Sequence, residues 1–283
     1  MDTEAGKLYI VATPIGNLSD MSPRAVETLK NVDLIAAEDT RNTIHLLTHF
    51  GIRTPMESYH EFNKYDKAED LAAKMISGMN VAIVTDAGTP CISDPGEVLV
   101  AKCAEAGIPV TSIPGPSAVI TALTVSGLST RRFTFEGFLP AKKQKKERAA
   151  ALERLRNETV TIIVYEAPHH LQETLRDLSE VLGPNRRVAL CRELTKLHEE
   201  VIRTTLGEAA GTEPRGEYVL VIEGKDEKEA AAEKQAAFSE LSIEEHMQSY
   251  LSKGIDRKEA MKLVAADRGV TKRDIYKYLA EKE

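Results

Sequence analysis

The fold of this chain is organised around one loop, Thr85-Asp86-Ala87-Gly88-Thr89-Pro90-Cys91-Ile92-Ser93-Asp94-Pro95-Gly96. Its two prolines and two glycines exclude both a helix and a strand. The apolar residues 81–84 before it predict a buried strand, and residues 97–104 after it predict a helix that ends near Gly107. Open α/β sheets bind ligands at the carboxyl ends of such strands. A loop this long is uncommon in a compact domain unless it is functional, so we expect a ligand site here.

The same order of strand, loop and helix recurs through the first half of the chain. Further strands are predicted at residues 8–12, 34–37, 56–59 and 110–113. This alternation predicts a parallel sheet covered by helices on both faces. The loops at 13–18 and 114–117 also follow strands and are rich in glycine and proline, which indicates a shared ligand crevice. Ser117 is expected to cap the helix that begins at Ala118.

The second half has more strands and fewer helices, which predicts a mixed sheet. Strands are expected at residues 133–137, 160–165, 187–192, 201–206 and 218–223, and a basic helical segment at 140–156. Within residues 142–148, Glu147 is the only acidic residue in a run of cationic residues. This run forms either a solvated face or a phosphate contact. The run consists of Lys142, Lys143, Lys145, Lys146 and Arg148.

The end of the chain predicts helices. Residues 225–240 read as a linker, and residues 265–278 have the spacing of a helix-turn-helix. Lys272, Arg273 and Lys277 cluster on its second helix. The tail is therefore either a plain helical hairpin or a nucleic-acid contact.

Composition narrows the class of protein. The chain has 283 residues, 42% of them hydrophobic, and a net charge of -7, which argues against an overall basic nucleic-acid binder but not against a local patch. Its three cysteines have no disulfide or metal spacing, so we expect reduced thiols in a cytosolic protein and no metal site. The acidic residues 1–4 do not begin a secretion signal. No apolar run approaches the roughly 20 residues that span a bilayer.

Familiar catalytic motifs are absent from the sequence, and residues 13–17 are not a G-x-G-x-x-G turn. The residues alone therefore predict a two-domain α/β enzyme with a crevice for a small ligand.

Longer motifs resemble the tetrapyrrole-methylase superfamily and, within it, members that methylate ribosomal RNA. In order, they read VATPIGNL at 11–18, AEDTR at 37–41, DAGTPCISDPG at 86–96, PGPSA at 114–118, YEAPH at 165–169 and RELTK at 192–196. The resemblance covers about residues 7–224. It implies two α/β domains of the tetrapyrrole-methylase type with a cleft between them, at residues 1–117 and 118–225. A small helical domain would follow at residues 226–283.

The resemblance also implies an activity. It implies S-adenosylmethionine as methyl donor and methylation of a cytidine ribose 2′-hydroxyl in the decoding centre of 16S rRNA, with either the naked 16S rRNA or the 30S subunit as the substrate. It implies a homodimer as well. Two alternatives remain open: methylation of a tetrapyrrole or other small substrate, and a non-catalytic RNA-binding protein. The basic segment and the helical tail favour RNA, because an enzyme acting on a porphyrin needs neither.

Matching positions suggest the residues that hold the donor: Ile15, Asp86, Ala87, Gly88, Cys91, Ser117, Ala118, Glu166 and Leu194. Tetrapyrrole enzymes carry Gly-Gly-Asp where this chain has Asp86-Ala87-Gly88, so the acid is displaced.

The chemistry requires further candidates. A ribose hydroxyl is a poor nucleophile and benefits from a base or a nearby cation. The candidate bases are Glu38, Asp39 and Glu166, and Arg41 and Lys196 are candidate charge stabilisers or phosphate clamps. Residues 38–41 could instead be a helix cap with a salt bridge.

Overall fold

A computed structural model describes residues 5–239 and 241–281, so the acidic residues 1–4 lie outside it. The chain divides into two compact units. One comprises Met1–Leu152 with Thr161–Glu223 and contains both sheets; the other comprises Glu153–Val160 with Gly224–Glu283. The two predicted α/β domains thus lie together in one unit. The domain limits at 117/118 and 225/226 stay predictions.

The first sheet is parallel throughout, as predicted, with the order β3-β2-β4-β1-β5. Its strands are β1 (Leu8–Val11), β2 (Leu34–Ala37), β3 (Met56–Ser58), β4 (Val81–Val84) and β5 (Val110–Ile113). The helices between them are α1 (Pro23–Asn31), α2 (Thr40–His49), α3 (Lys64–Ile76) and α4 (Gly96–Glu105). Both faces are covered: Leu71 and Leu99 pack on one, and Leu29 and Leu47 pack on the other. All loops that follow these strands therefore leave from one edge of the sheet.

The second sheet is mixed, which confirms the prediction. Its order is β6-β7-β10-β8-β9, and only β6 and β7 are parallel. Its strands are β6 (Phe133–Phe138), β7 (Thr161–Glu166), β8 (Arg187–Arg192), β9 (Glu200–Thr205) and β10 (Tyr218–Ile222). The helices of this part are α5 (Ala118–Val125), α6 (Lys145–Arg156), α7 (Leu171–Leu182) and α8 (Leu206–Ala209). Helix α5 packs on this sheet through Val119 and Leu123.

Helix α6 begins at Lys145, later than the predicted start at Pro140, and it buries one of the cations expected on its surface. Arg148 is only 8% exposed. Its guanidinium donates to Asp177 Oδ2 at 2.7 Å, to the Pro140 carbonyl at 2.9 Å and to Thr174 Oγ1 at 3.0 Å. The assignment of Arg148 to the exposed basic run is therefore wrong, because this side chain ties α6 to α7.

We expect Arg148→Ala to lower the free energy of unfolding by about 2 kcal/mol, since the buried Thr174 and the half-buried Asp177 would lose the hydrogen bonds of a charged group. Urea unfolding followed by circular dichroism measures this change. Lys145→Ala, on the exposed face of the same helix, should stay within about 0.5 kcal/mol of the original chain. Equal effects for the two variants would contradict the structural role of Arg148.

The second unit is helical, as predicted. Its helices are α9 (Glu227–Ser239), α10 (Ile243–Leu251), α11 (Arg257–Asp267) and α12 (Lys272–Ala280). Met247, Val264 and Ile275 form the centre of a core shared by α10, α11 and α12. Helices α11 and α12 are joined by a four-residue turn, which matches the predicted helix-turn-helix spacing. Arg273 and Lys277 are exposed on α12, and Lys272 is half-buried.

Candidate active site

A cleft of about 460 Å³ is lined by loops from both sheets of the first unit. This volume falls within the range of about 300–1,000 Å³ that is usual for sites of small ligands. The cleft brings together ten of the residues predicted from the sequence: Ile15, Glu38, Asp86, Ala87, Gly88, Ser117, Ala118, Glu166, Leu194 and Lys196. Most of the predicted site residues thus line a single cleft.

Hydrogen bonds fix the loops after β1, β4 and β5 to one another. The backbone N–H of Thr13 donates to the Gly88 carbonyl at 2.9 Å, and the N–H of Gly88 donates back to the Thr13 carbonyl at 3.1 Å. The Thr13 hydroxyl donates to the Thr85 carbonyl at 3.1 Å, and the Thr89 hydroxyl donates to the Pro116 carbonyl at 2.9 Å. These bonds hold the three loops together through their backbones and two short threonine side chains.

Gly88 is required by both conformation and space. Its φ is +84°, a region that other residues rarely adopt. A Cβ at this position would lie 3.3 Å from Ile15 Cγ2 and 3.9 Å from the Pro116 carbonyl oxygen. The glycine therefore leaves a space beside Ile15 and the Pro116 carbonyl free of a side chain, and we call this space the cradle.

Two loops at the cleft carry backbone strain. Within residues 5–239 and 241–281, the non-glycine residues with positive φ are Cys91, Ser93, Glu193 and Thr195. Such conformations persist only where the surroundings enforce them, and they concentrate at functional sites. The Thr195 hydroxyl is also buried without a hydrogen-bond partner in the described structure. Both observations indicate loops shaped for a ligand rather than for stability.

Glu38 and Asp86 meet at the wall formed by β2 and β4. Glu38 Oε2 accepts from the Thr85 hydroxyl and, at 3.5 Å, from the backbone N–H of Asp86. The Asp86 carboxylate accepts from Asn42 Nδ2 at 2.9 Å. Both hydrogen bonds to Glu38 from residues 5–239 and 241–281 use the same oxygen, so its other oxygen has no hydrogen-bond partner in these ranges.

Lys196 lies in the loop after β8, between two acids. Its ammonium donates to Glu217 Oε2 at 2.7 Å and to Glu193 Oε1 at 3.0 Å. Burial alone would lower the pKa of Lys196, but these two hydrogen bonds outweigh it and raise the pKa. The hydrogen bond from the Glu217 N–H in turn lowers the pKa of Glu193. Lys196 is thus a charged group at neutral pH.

The charge of the cleft favours a cationic ligand. Besides Lys196, its charged lining residues in the described chain are all acids: Glu38, Asp86, Asp94, Glu166, Glu193 and Glu217. Carboxylates around a small cavity attract a positively charged group and repel phosphates. The charge of the lining therefore disfavours a phosphate group inside the cleft.

Residues 7–210 match the family model of the tetrapyrrole (corrin/porphyrin) methylases. The chain belongs to this methylase family. It is 50% identical to the ribosomal RNA small subunit methyltransferase I of Synechocystis sp., across 98% of this chain and 99% of that protein. The protein of the same name from Bacillus subtilis is 47% identical, across 97% and 94%. The chain is therefore a methyltransferase.

The fold of the methylase also matches solved structures. Uroporphyrin-III C-methyltransferase from Thermus thermophilus, complexed with S-adenosylhomocysteine, superimposes with a TM-score of 0.54 at 19% identity. The match covers 77% of this chain and 97% of that one. At this identity the likeness supports the α/β fold alone.

Three predicted site residues lie elsewhere in the methylase. Among the described residues, the cleft lining does not include Asp39, Arg41 or Cys91. Asp39 caps α2 by accepting from the Arg41 N–H at 2.9 Å and pairs with the Arg41 guanidinium at 2.6 Å. The hydrogen bond with the Arg41 side chain lowers the pKa of Asp39 to about 2, which makes it a poor base. The cap and salt bridge, left open by the sequence, are therefore present.

Cys91 and Ser117 also differ from expectation. Burial raises the pKa of the Cys91 thiol to about 12, so this thiol is not a nucleophile. Its neighbours Ile92 and Ser93 line the cleft instead. Ser117 occupies the N-cap position of α5 but its side chain makes no capping hydrogen bond, so the predicted cap is wrong.

Sequence reasoning missed several lining residues of the methylase, including Phe138, Tyr165, Glu193 and Glu217. Each lies within two residues of a strand end. Closeness to a predicted strand end is therefore the sequence signal that could have identified them. Within the described ranges, no group of three or more His, Cys, Asp or Glu side chains could hold a metal ion. No helix in those ranges is both long and apolar enough to cross a membrane.

Proposed function

We propose that this methylase binds S-adenosylmethionine in the cleft and methylates the 2′-hydroxyl of a cytidine in the decoding centre of 16S rRNA. The observation that carries the proposal is the assembly of ten predicted residues around one acidic cleft. The near-full-length relatives named as ribosomal RNA small subunit methyltransferases support the substrate.

The cleft fits the donor chemically. The donor carries a sulfonium and an amine, and the carboxylates of the lining suit both positive charges. Its carboxylate needs hydrogen-bond donors that bring no bulk, and we assign this role to backbone N–H groups of the loop after β4 other than those of Asp86 and Gly88, which already donate to Glu38 and Thr13. Ile15, Ala118 and Leu194 offer apolar contacts to the remainder.

The methylase has two tasks in the reaction. When bound, S-adenosylmethionine supplies a methyl group that is already activated. The protein must hold the ribose hydroxyl in line with that group and remove the hydroxyl proton. We assign the proton to Glu38, because the Thr85 and Asp86 contacts orient its carboxylate and leave one oxygen available.

Glu166 and Lys196 have supporting roles in this proposal. Glu166 is 6% exposed, and its Oε1 accepts from the Ala167 N–H at 2.8 Å, so its carboxylate is fixed at the donor side. Lys196 is held by Glu193 and Glu217 and offsets part of the negative charge of the lining. Arg41, exposed and paired with Asp39, serves as a phosphate contact outside the cleft.

RNA is proposed to bind through the exposed segment that contains Lys142, Lys143, Lys145 and Lys146. Changing all four to Ala should weaken RNA binding and lower the slope of log affinity against log salt, by roughly 0.7 for each lost phosphate contact. Titration of labelled RNA at several salt concentrations measures the slope. Lys142 already pairs with Glu173, so its share should be the smallest.

The control for this patch is Lys30→Ala, an exposed lysine on α1 outside both the segment and the cleft. It should leave affinity and slope unchanged, and the quadruple variant should still bind the donor. An unaltered salt slope in the quadruple variant would refute the RNA-binding segment.

The helical tail is proposed to bind RNA as well. This second RNA contact consists of Lys272, Arg273 and Lys277 on α12.

The oligomeric state and the location are proposed from the family and the substrate. The resemblance supports a homodimer, which sedimentation equilibrium tests. A ribosomal substrate also supports a cytoplasmic location.

The substrate class is tested by offering radiolabelled donor with unmethylated small subunits, naked 16S rRNA or a porphyrin precursor. We expect label in rRNA. Label in the porphyrin alone would favour the small-substrate alternative. Donor binding without any transfer to RNA or porphyrin would overturn the proposal.

A further inference from the structure

Strand β6 contains a bulge beside the cleft. Phe135 pairs with Ile163, yet Gly137 pairs with the next residue, Val164, so Glu136 is an extra residue in the strand. Side chains of an unbroken strand alternate between faces, and residues 135 and 138 would point to opposite sides. A bulge reverses that alternation and can redirect a side chain. Both aromatic rings are thereby brought to one face of the sheet.

The ring contacts agree with this reversal. Tyr165 on the neighbouring strand contacts Phe135 with ring centroids 4.9 Å apart and Phe138 with centroids 5.4 Å apart. Gly137 permits the bulge with a φ of +72°, and a Cβ there would lie 2.8 Å from Ser93 Oγ. Ser93 also lines the cleft and has a positive φ. The bulge is therefore packed against the loop that follows β4.

The side chain of Phe138 is exposed to solvent, unlike the aromatic and aliphatic side chains of the core. Its side chain lines the cleft, with Tyr165, and is 59% exposed. Tyr165 packs against one side of the ring, and Phe138 presents an apolar face to solvent. Such a face suits the flat surface of a nucleobase, which stacks on aromatic side chains when it leaves a helix or loop.

The surroundings of Phe138 match the two halves of a nucleotide. The acidic interior disfavours phosphate, and an uncharged base avoids that repulsion. The chain runs from Phe138 through the buried Leu139 directly into the exposed Lys142 and Lys143. An aromatic surface for the base thus lies only a few residues from cations suited to its phosphates.

We infer that Phe138, supported by Tyr165, is the platform on which the target cytosine stacks while its ribose enters the cleft. This inference rests on the proposed function and adds a residue that positions the acceptor. Phe138 selects an unstacked base because a base still within a helix cannot reach the ring.

Steady-state kinetics with unmethylated small subunits tests the platform. Phe138→Ala should lower kcat/KM by about 5- to 150-fold, the range expected from loss of one base–aromatic stack. Donor affinity, measured by calorimetry, should not change. Phe138→Trp, which retains a stacking surface, should restore most of the activity.

The matched control is Phe133→Ala. Phe133 lies at the other end of β6, is 40% exposed and is outside the cleft lining. It should keep the original kcat/KM. Full activity in Phe138→Ala would overturn the inference about the platform but not the proposed function. A parallel loss of donor affinity would show that the Phe138 ring contacts the donor and not the base. Absence of transfer in the original chain would overturn both this inference and the proposed function.

Discussion

Glu38→Gln is expected to lower kcat by at least about 100-fold, the lower end of what a general base contributes. The amide keeps the shape of the side chain and can still accept the hydrogen bond from the Thr85 hydroxyl. It cannot take a proton from the ribose hydroxyl. Single-turnover transfer to small subunits measures the rate, and calorimetry should show that the donor binds as before.

Asp39→Asn is the matched control, because the same change is made at the next residue. Asp39 is held by Arg41 outside the cleft lining, so transfer should continue at a similar rate. Asn caps helices about as well as Asp, so α2 should stay capped and only the exposed ion pair with Arg41 should be lost. If Glu38→Gln kept its rate within a few-fold while Glu166→Gln lost it, the proton would belong to Glu166.

Gly88→Val should have the second-largest effect and act on the donor. A branched side chain at φ +84° introduces backbone strain, and its Cβ would lie 3.3 Å from Ile15 Cγ2 in the cradle. The donor must also displace the added side chain, and an overpacking cost of about 1–3 kcal/mol in the complex corresponds to an increase in Kd of about 5- to 150-fold. Calorimetry with S-adenosylmethionine measures it directly.

Gly107→Val separates strain from occupation of the cleft. Gly107 has a similar φ of +68° at the end of α4, but a Cβ there would have nothing within 4 Å. This variant should lose stability and retain donor affinity. Equal losses of affinity in both variants would show that strain alone, rather than the cradle, explains the effect at Gly88.

The parts of the fold that sequence predicted well depend on local patterns. Residues 34–37 and 81–84 are short apolar runs, and all eight are buried in the parallel sheet. The loops that follow parallel strands share one edge of the sheet. The sequence alone therefore predicts that Glu38 and Gly88 lie close together. Even the cap at Asp39 was among the alternatives, because its partner is two residues away.

The parts that were missed depend on distant partners. Arg148 looks like one more surface cation until α7 supplies Asp177, 29 residues away. Phe138 directly follows the predicted strand 133–137 and carries no special signal, because the bulge that turns it toward the cleft is visible only in the pairing of β6 with β7. Neither the burial of Arg148 nor the orientation of Phe138 can be predicted from the local sequence, because both depend on tertiary contacts.

Nucleoside mass spectrometry of the methylated RNA tests the central claim most directly. Small subunits incubated with the methylase and deuterated donor would be digested and the labelled nucleoside identified and mapped. We predict one 2′-O-methylcytidine in the decoding centre of 16S rRNA, and its loss with Glu38→Gln. A methyl group on a base, or label spread over many riboses, would contradict the account.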